Sequence, residues 1–455
     1  MSLWRWSDVC AAVGAPLADG PDINGVSIDS RTLASGDLFV ALPGDPGQRF
    51  NVSQRSERDG HDYVGAALEA GAAGTLVSRD PDADVPRIVV GDTIDALWDL
   101  ARAGRARFDG RVVAVTGSSG KTTVKTFIAH ALDAFSSSGS LNNHLGVPLS
   151  LARTPADARF AVYEIGTNHP GEIAPLSRLA QPDVAVVLNV HPAHIEHFDD
   201  IAALKREKLS IADGLRRGDT LVCLDTLNAS SSGRDIRVLT FGTGRDADVR
   251  LVSSDGGIAV VETPSGRVEA EVPGGGEHRA VGLAAAAGVM IALGEDPAAI
   301  RRIGPSAVPA GRGNRIRVGG ITLIDDSYNA NPASMAAALR ALRGESGRTV
   351  AVLGEMLELG DDARRLHAEM ASACREIDKV ICVGDAMDIL YDRLPGHRRV
   401  AFFPSPEDID PDVIVEALRP GDVILLKGSN RVFWSRGFAR VLGRRIEEVM
   451  GTGQE

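Results

Sequence analysis

The chain has 455 residues, 44% of them hydrophobic and 24% charged. That is the profile of an ordinary globular protein, with material for about three domains at roughly 100–200 residues each. Asp and Glu outnumber Lys and Arg by 61 to 49, for a formal net charge of −12; this weighs against a nucleic-acid footprint, and an anionic ligand would need a local cluster of Lys and Arg.

From Trp4 to about Phe108 short strands and helices alternate. GDLFVAL (Gly36–Leu42) reads as a strand, DYVGAALEAGAAGTLVS (Asp62–Ser78) as helix, glycine turn and strand, and PRIVV (Pro86–Val90) as a strand. TIDALWDLARAGRARF (Thr93–Phe108) is an amphipathic helix and a reasonable domain end. The strands then lengthen: RVVAV (Arg111–Val115), ARFAVYEIG (Ala158–Gly166), DVAVVLNV (Asp183–Val190) and DTLVCLD (Asp219–Asp225), with helical segments between. Near-continuous apolar strands separated by helices mean a parallel sheet covered on both faces. Residues 249–272 read as a small antiparallel element, and AVGLAAAAGVMIALG (Ala280–Gly294) as a buried helix, too short and Ala-rich to span a membrane. PAGRGNR (Pro309–Arg315) reads as a linker. Strand–helix alternation resumes with ITLIDDSY (Ile321–Tyr328), a helix from Ser334, TVAVLG (Thr349–Gly354), KVICVG (Lys379–Gly384) and DVILLKG (Asp422–Gly428), which predicts a second doubly wound domain. The fold expected is α/β in three domains: a small α/β domain over 1–108, a central P-loop-type parallel-sheet domain over 109–310, and a C-terminal Rossmann-like domain over 311–455.

Cys10, Cys223, Cys374 and Cys382 form no CxxC pair and no metal spacing, so buried free thiols are expected. The opening MSLWRWSDVC has no apolar run of a signal peptide. Both point to a cytoplasmic protein.

The sharpest local signal is VTGSSGKTT (Val115–Thr123), a Gly/Ser-rich turn between a strand and a helix. Inward-pointing backbone N–H groups and a helix N-terminus make such a turn a phosphate cradle. The full eight-residue phosphate-loop pattern would put its first glycine at Val115, so only the shorter Gly117-x-x-Gly120-Lys121-Thr122 is present. Gly117, Ser118, Ser119, Gly120, Lys121, Thr122 and Thr123 are the candidate phosphate-binding residues. Glu164 ends the next long strand, where its carboxylate and the Thr122 hydroxyl could share a Mg²⁺. HPAHIEH (His191–His197) has three histidines in seven residues but no convincing fourth zinc ligand; His194 near a triphosphate is the better reading. LNNHLGVP (Leu141–Pro148) and DDSYNANP (Asp325–Pro332) are polar loops suited to ligand recognition. Lys205 and Glu207, read from the pattern alone, belong to a solvated helix face.

TGSSGKTTVK, LNNHLGVPLSL, EIGTNHPGEIAPL, NVHPAHIEHF, IAALKREKL, DDSYNANPASMAAAL and VLGEMLELG occur in this order. Together they resemble the Mur ligases of peptidoglycan synthesis, and the resemblance covers nearly the whole chain. It implies an ATP-dependent ligase that phosphorylates the terminal carboxylate of a UDP-N-acetylmuramoyl-tripeptide. D-Alanyl-D-alanine would then attack the acyl phosphate through its free amine. It implies ATP and two Mg²⁺ ions as cofactors, with no nucleic-acid partner, no transmembrane segment and action as a monomer. Lys121 would contact the β- and γ-phosphates, and Thr122 and Glu164 would bind Mg²⁺. His194 would stand beside the second metal, and Lys205 would be carbamylated to give that metal a carboxylate. Arg312, Asp326, Asn329 and Asn331 would close on the nucleotide. Ser30 and Arg31 match a motif of the uridine-nucleotide domain, and Asn142, Asn143 and His144 a motif near the peptide substrate.

The match has departures. His191 stands where the family has Gly, and His197-Phe198-Asp199 where it has Gly-Phe-Gly. Leu204 replaces a small residue before the expected key lysine, Lys208 replaces an apolar residue after Glu207, and KGSNRVFW (Lys427–Trp434) departs from the usual continuation. Another Mur ligase, or an amide ligase resembling folylpolyglutamate synthase, fits the same chemistry.

Overall fold

The computed structural model describes residues 2–45, 58–79, 85–191, 197–230 and 235–451. Its strands form three sheets. The first has four parallel strands in the order β1 (Gly25–Ser27), β2 (Asp37–Val40), β3 (Gly74–Val77) and β4 (Arg87–Val89). Helices α1 (Trp6–Ala12), α2 (Val64–Glu69) and α3 (Thr93–Ala106) accompany it. Asp92 starts α3 by accepting from the N–H groups of Ile94 and Asp95, which satisfies two donors that a helix start leaves open.

The second sheet has nine strands. Along the chain they are β5 (Arg111–Thr116), β6 (Phe135–Ser136), β7 (Phe160–Glu164), β8 (Val184–Val187), β9 (Thr220–Leu224), β10 (Arg237–Gly242), β11 (Val249–Ser253), β12 (Ile258–Thr263) and β13 (Gly266–Glu271). In space the order is β13-β12-β11-β10-β9-β8-β5-β7-β6. The chain passes from β5 out to β6, back to β7, and across to β8 on the other side of β5. The crevice at the carboxyl end of β5 is therefore a topological switch point, where open α/β sheets hold ligands. Pairing aligns Val115 with Glu164 and Thr116 with Val187. The carboxylate thus ends its strand beside the phosphate loop.

Helices α4 (Lys121–Leu132), α5 (Gly146–Ala152), α6 (Ile173–Ala180), α7 (Ile201–Leu209) and α8 (Glu277–Leu293) belong to this region. α8 is the Ala-rich run, and Ala280, Leu283, Ala284, Ala287 and Met290 are fully buried. Its small residues let it lie close to the sheet and to α4: a Cβ at Gly288 would meet Leu239 and Val222, and one at Gly282 would meet Val124, all at 3.1 Å. The first two sheets are joined through α3 and α5. Leu100 and Ala152 belong to one core, Ala101 and Leu151 to the next, and the Trp4 indole donates to the Ala152 carbonyl at 2.8 Å.

The third sheet runs β14 (Asn314–Val318), β15 (Ile321–Asp326), β19 (Val423–Lys427), β16 (Thr349–Gly354), β17 (Lys379–Val383) and β18 (Arg399–Phe403) in spatial order. It is parallel except for β14. Helix α9 (Pro332–Arg343) follows β15.

Two details differ from the sequence reading. The segment 249–272 is antiparallel within itself, as read, but it extends the main sheet, because β11 pairs in parallel with β10. The stretch read as a linker already contains the start of β14, an antiparallel edge strand whose middle residues are exposed. Its Arg-x-Arg spacing suits an edge that faces water. All four cysteines are buried and free, and burial pushes the Cys223 thiol up to about 11 and Cys374 to about 12.

Candidate active site

The phosphate loop leaves β5 at Thr116 and enters α4 at Lys121. Gly120 caps the helix at φ 78°, ψ −4°, in the left-handed region where glycine carries no steric penalty. A Cβ at Gly117 would lie 2.9 Å from the Leu188 Cβ, so this glycine permits the close approach of loop and neighbouring strand. Asn189, just beyond β8, fixes the loop. Its side-chain oxygen accepts from the Ser119 N–H at 2.9 Å and its carbonyl from the Ser118 N–H at 3.1 Å. The main chain of His191 exchanges hydrogen bonds with the Ser118 hydroxyl at 2.9 and 3.0 Å.

Glu164 is buried at 1% exposure. One carboxylate oxygen accepts from the Thr122 hydroxyl at 2.6 Å; the other accepts from the Ser140 hydroxyl at 2.9 Å and the Asn142 amide at 2.6 Å. Burial alone would raise its pKa. The Lys121 ammonium, the Arg312 guanidinium, the Thr122 hydrogen bond and Lys125 outweigh that and hold it below the usual carboxylate value. The Lys121 ammonium bends back over the loop, donating to the Gly117 carbonyl at 2.9 Å. Burial lowers its pKa, Glu164 opposes, and Arg312 adds to the lowering.

These residues fit a magnesium–phosphate site. Glu164 and Thr122 are hard oxygen donors side by side, and Mg²⁺ takes one or two protein oxygens and completes its shell with water and substrate phosphate. Among the described residues no group of three or more His, Cys, Asp or Glu could hold a metal alone.

The helix α7 carries a correction. Lys205 is half-buried, and its charge acts on the Cys223 thiol. Lys208, three residues on, is only 2% exposed. Burial, then the nearby Lys121 charge, pushes its pKa down to about 7 against the opposing pull of Glu207 and Glu172. Glu207, read from the pattern as part of a solvated helix face, is itself buried at 8% exposure, so the inner face of α7 carries two charged groups, Glu207 and Lys208. The surroundings of Lys208 are held by two carboxylates. Glu207 accepts from the Gly171 and Ile173 N–H groups at 2.8 and 2.9 Å, capping α6. Glu172 accepts from the Asn168 and His169 N–H groups at 2.8 and 3.1 Å. His169 stacks on His197 with ring centres 4.1 Å apart. His194 lies outside the described residues.

Other expectations shift as well. Asn142 faces Glu164 and not open space. The Asn143 side chain turns onto its own backbone, accepting from Leu145 and Gly146 N–H at 3.2 and 2.9 Å. His144 is half-buried, with burial lowering its pKa against the pull of Glu172. Asn331 is spent on a capping box with Ser334 at the start of α9. Asn329 offers its carbonyl to the buried Lys427 ammonium at 3.1 Å, and Asp326 pairs with the same ammonium at 2.8 Å. Arg312 lies over the Tyr328 ring at 4.1 Å while its charge reaches Glu164 and Lys121. Ser30 and Arg31 sit apart, in the turn after β1, where Arg31 pairs with Asp29 at 2.7 Å.

Sequence reasoning missed Asn189, Ser140, Lys125, Lys208, Lys427 and Arg279. Arg279 is buried and donates to the carbonyls of Gly274, Gly275 and Arg312, at 3.0, 2.8 and 2.9 Å. The only signal for it was the GGG run just ahead of α8.

Residues 115–290 match the family described as Mur ligase middle domain, and residues 311–430 the Mur ligase, glutamate ligase domain. A UDP-N-acetylmuramoyl-tripeptide–D-alanyl-D-alanine ligase of Escherichia coli is 37% identical over 385 residues, 80% of this chain and 82% of that protein. A crystal structure of MurF from Acinetobacter baumannii superposes with a TM-score of 0.81 at 29% identity, covering 98% of this chain and all of the other. MurF from Thermotoga maritima in complex with ADP gives 0.75 at 29% identity over 93% and 98% of the two chains.

Proposed function

The chain belongs to the Mur ligase family, and we propose that it joins D-alanyl-D-alanine to a UDP-N-acetylmuramoyl-tripeptide at the expense of ATP. The observation that carries this reading is the buried Thr122–Glu164 pair at the mouth of the phosphate loop, ringed by Lys121, Lys125 and Arg312. The ring meets the need of a reaction that gathers a triphosphate and a carboxylate in one place. The relatives' names supply the substrates.

The terminal carboxylate of the tripeptide attacks the γ-phosphorus, the bond to the β-phosphate oxygen breaks, and ADP leaves. The amine then attacks the acyl carbon. The amide bond forms, the C–O bond to phosphate breaks, and the amine sheds its proton. Loop N–H groups and Lys121 hold the phosphates in line, and Arg312 adds positive charge where negative charge accumulates. Thr122 and Glu164 would hold a Mg²⁺, which when bound would neutralise charge and orient the γ-phosphate. Lys208 takes up CO₂ as a carbamate. The neutral amine would form the N–C bond and one N–H proton would pass to solvent; the resulting carboxylate, on Lys208 in place of the Lys205 that the resemblance suggested, would be a hard oxygen donor suited to hold a second Mg²⁺. Domain 1–108 holds the UDP-sugar, 109–310 the nucleotide, and 311–455 closes and brings the dipeptide. Among the described residues no helix is long and apolar enough to cross a membrane.

The test is phosphate release with ATP, the UDP-linked tripeptide in its diaminopimelate and lysine forms, and D-alanyl-D-alanine. One phosphate per amide, only when acid and amine are both present, is expected. Release that needs no acid substrate, or that glutamate supports in place of the dipeptide, would overturn the assignment.

A further inference from the structure

Lys125 is the second lysine of α4, one turn beyond Lys121, and it is 1% exposed. A lysine this deep keeps its charge only where its protons find partners. Its ammonium donates to the Ser137 and Gly139 carbonyls, each at 2.7 Å. Those carbonyls belong to the short stretch that leads into Ser140 and Asn142. Ser140 and Asn142 are in turn two of the three side chains that hydrogen-bond Glu164, and the Asn142 amide also donates to the Ser140 hydroxyl at 2.9 Å. The segment is held at one end by the pairing of β6 with β7 and at the other by the Gly166 N–H, which donates to the Asn142 carbonyl at 2.8 Å; between them Gly139 has φ 64° and no side chain to anchor, and the Lys125 ammonium is the tie across residues 137–139.

We infer that Lys125 is a positioning residue for the magnesium site: it ties down residues 137–140 so that Ser140 and Asn142 fix the Glu164 carboxylate in the rotamer that faces Thr122. Its ammonium is bonded to the Ser137 and Gly139 carbonyls, so beyond its charge on Glu164 it acts through the segment it tethers. The inference rests on the reading of Thr122 and Glu164 as the magnesium-binding pair. Partners that orient a metal ligand typically change metal affinity or activity by about 10–100-fold when removed.

The test uses the full chain and two readouts that do not involve ligation. Lys125→Met should speed amide hydrogen exchange over residues 136–142 by about 10-fold or more, and raise the Mg²⁺ concentration for half-maximal ADP binding by a similar factor. Lys125→Met combined with Ser140→Ala should shift that concentration by less than the product of the single changes, because both act on one carboxylate. Unchanged exchange over 136–142 would overturn the inference, as would faster exchange with wild-type Mg²⁺ dependence. Should Lys125→Met not fold, Lys125→Gln, which keeps a donor for one carbonyl, is read in the same two ways, and wild-type values in it would overturn the inference equally. If the wild-type protein bound ADP and Mg²⁺ but failed to ligate, the proposed substrates would fall while this result stood.

Discussion

Replacing Lys208 by Met tests the proposed carbamate site most directly. The amine has 2% exposure and a pKa pushed from 10.5 to about 7. Each unit is worth about 1.4 kcal/mol, so holding this ammonium charged in the fold costs at most about 5 kcal/mol. Between about pH 7 and 10.5 the unfolded chain binds more protons at this lysine than the folded one, so its contribution to stability rises with pH across that window. Below about pH 7 both states are protonated and the penalty is complete. Lys208→Met should therefore be more stable than wild type near pH 6, by up to the same about 5 kcal/mol, with the advantage shrinking toward pH 10. Urea unfolding in CO₂-free buffer measures this. The same shift makes roughly nine amines in ten neutral at about pH 8, against about 0.3% for an unperturbed lysine, and only the neutral amine adds CO₂. With ¹³C-bicarbonate the wild-type protein should show a carbamate carbon resonance that grows as pH rises through about 7, survives Lys205→Met, and vanishes in Lys208→Met. Activity should fall steeply in Lys208→Met and stay low in Lys208→Arg. A carbamate signal that follows Lys205 would refute the reasoning, as would a Lys208→Met advantage that does not depend on pH.

Lys121→Ala should lower turnover by roughly 10²-fold or more while circular dichroism stays native, because one preorganised charge donor is lost from a surface loop. Thr122→Val should weaken Mg²⁺-dependent ADP binding and leave UDP-substrate affinity unchanged, as calorimetry would show; equal losses in both would count against the metal role. Small-angle scattering should show a smaller radius of gyration with nucleotide and UDP-substrate together, as 311–455 closes about the joint at 309–315, and an unchanged radius would argue against closure. A nucleotide should raise the pKa of Lys208 in CO₂-free buffer, so binding near pH 8 should take up a fraction of a proton that Lys208→Met abolishes; calorimetry in buffers of different ionisation enthalpy reads it.

Much of the scaffold could be read because its strands are nearly all apolar. Val112–Val115, Val184–Val187 and Val350–Leu353 are buried on both faces, and such runs announce a parallel sheet. β14 could not be read in the same way. NRIRV has exposed middle residues and looks like the polar linker that precedes it. Asn331 shows a different limit. Its spacing to Ser334 with Pro332 between is a helix-start signature, yet the same amide invites a ligand-binding reading, and only geometry chooses. Glu207 was misread as solvated because α7 buries Leu204, Glu207 and Lys208 together. Two charged residues on the inner face break the rule that apolar periodicity marks the core, so the pattern offered no reason to prefer one lysine over the other.

The reason lies in how the site is charged. A chain with net charge −12 places Lys121 and Lys125 from α4 and Arg312 from the joint around the buried Glu164 carboxylate, and the Lys121 charge also reaches Lys208 on α7, where burial is the larger cause of the lowered pKa. Without an anion this cluster works against the fold, since like charges in a low-dielectric pocket repel and buried cations need compensation. A triphosphate supplies that missing negative charge, and a carbamate on Lys208 would supply more of it. The cations come from segments separated by as much as 191 positions, Lys121 to Arg312, so no local motif could have displayed the cluster. The fold assembles it at the switch point of the central sheet, where Lys208 stops being a solvated lysine and becomes a neutral amine within reach of CO₂.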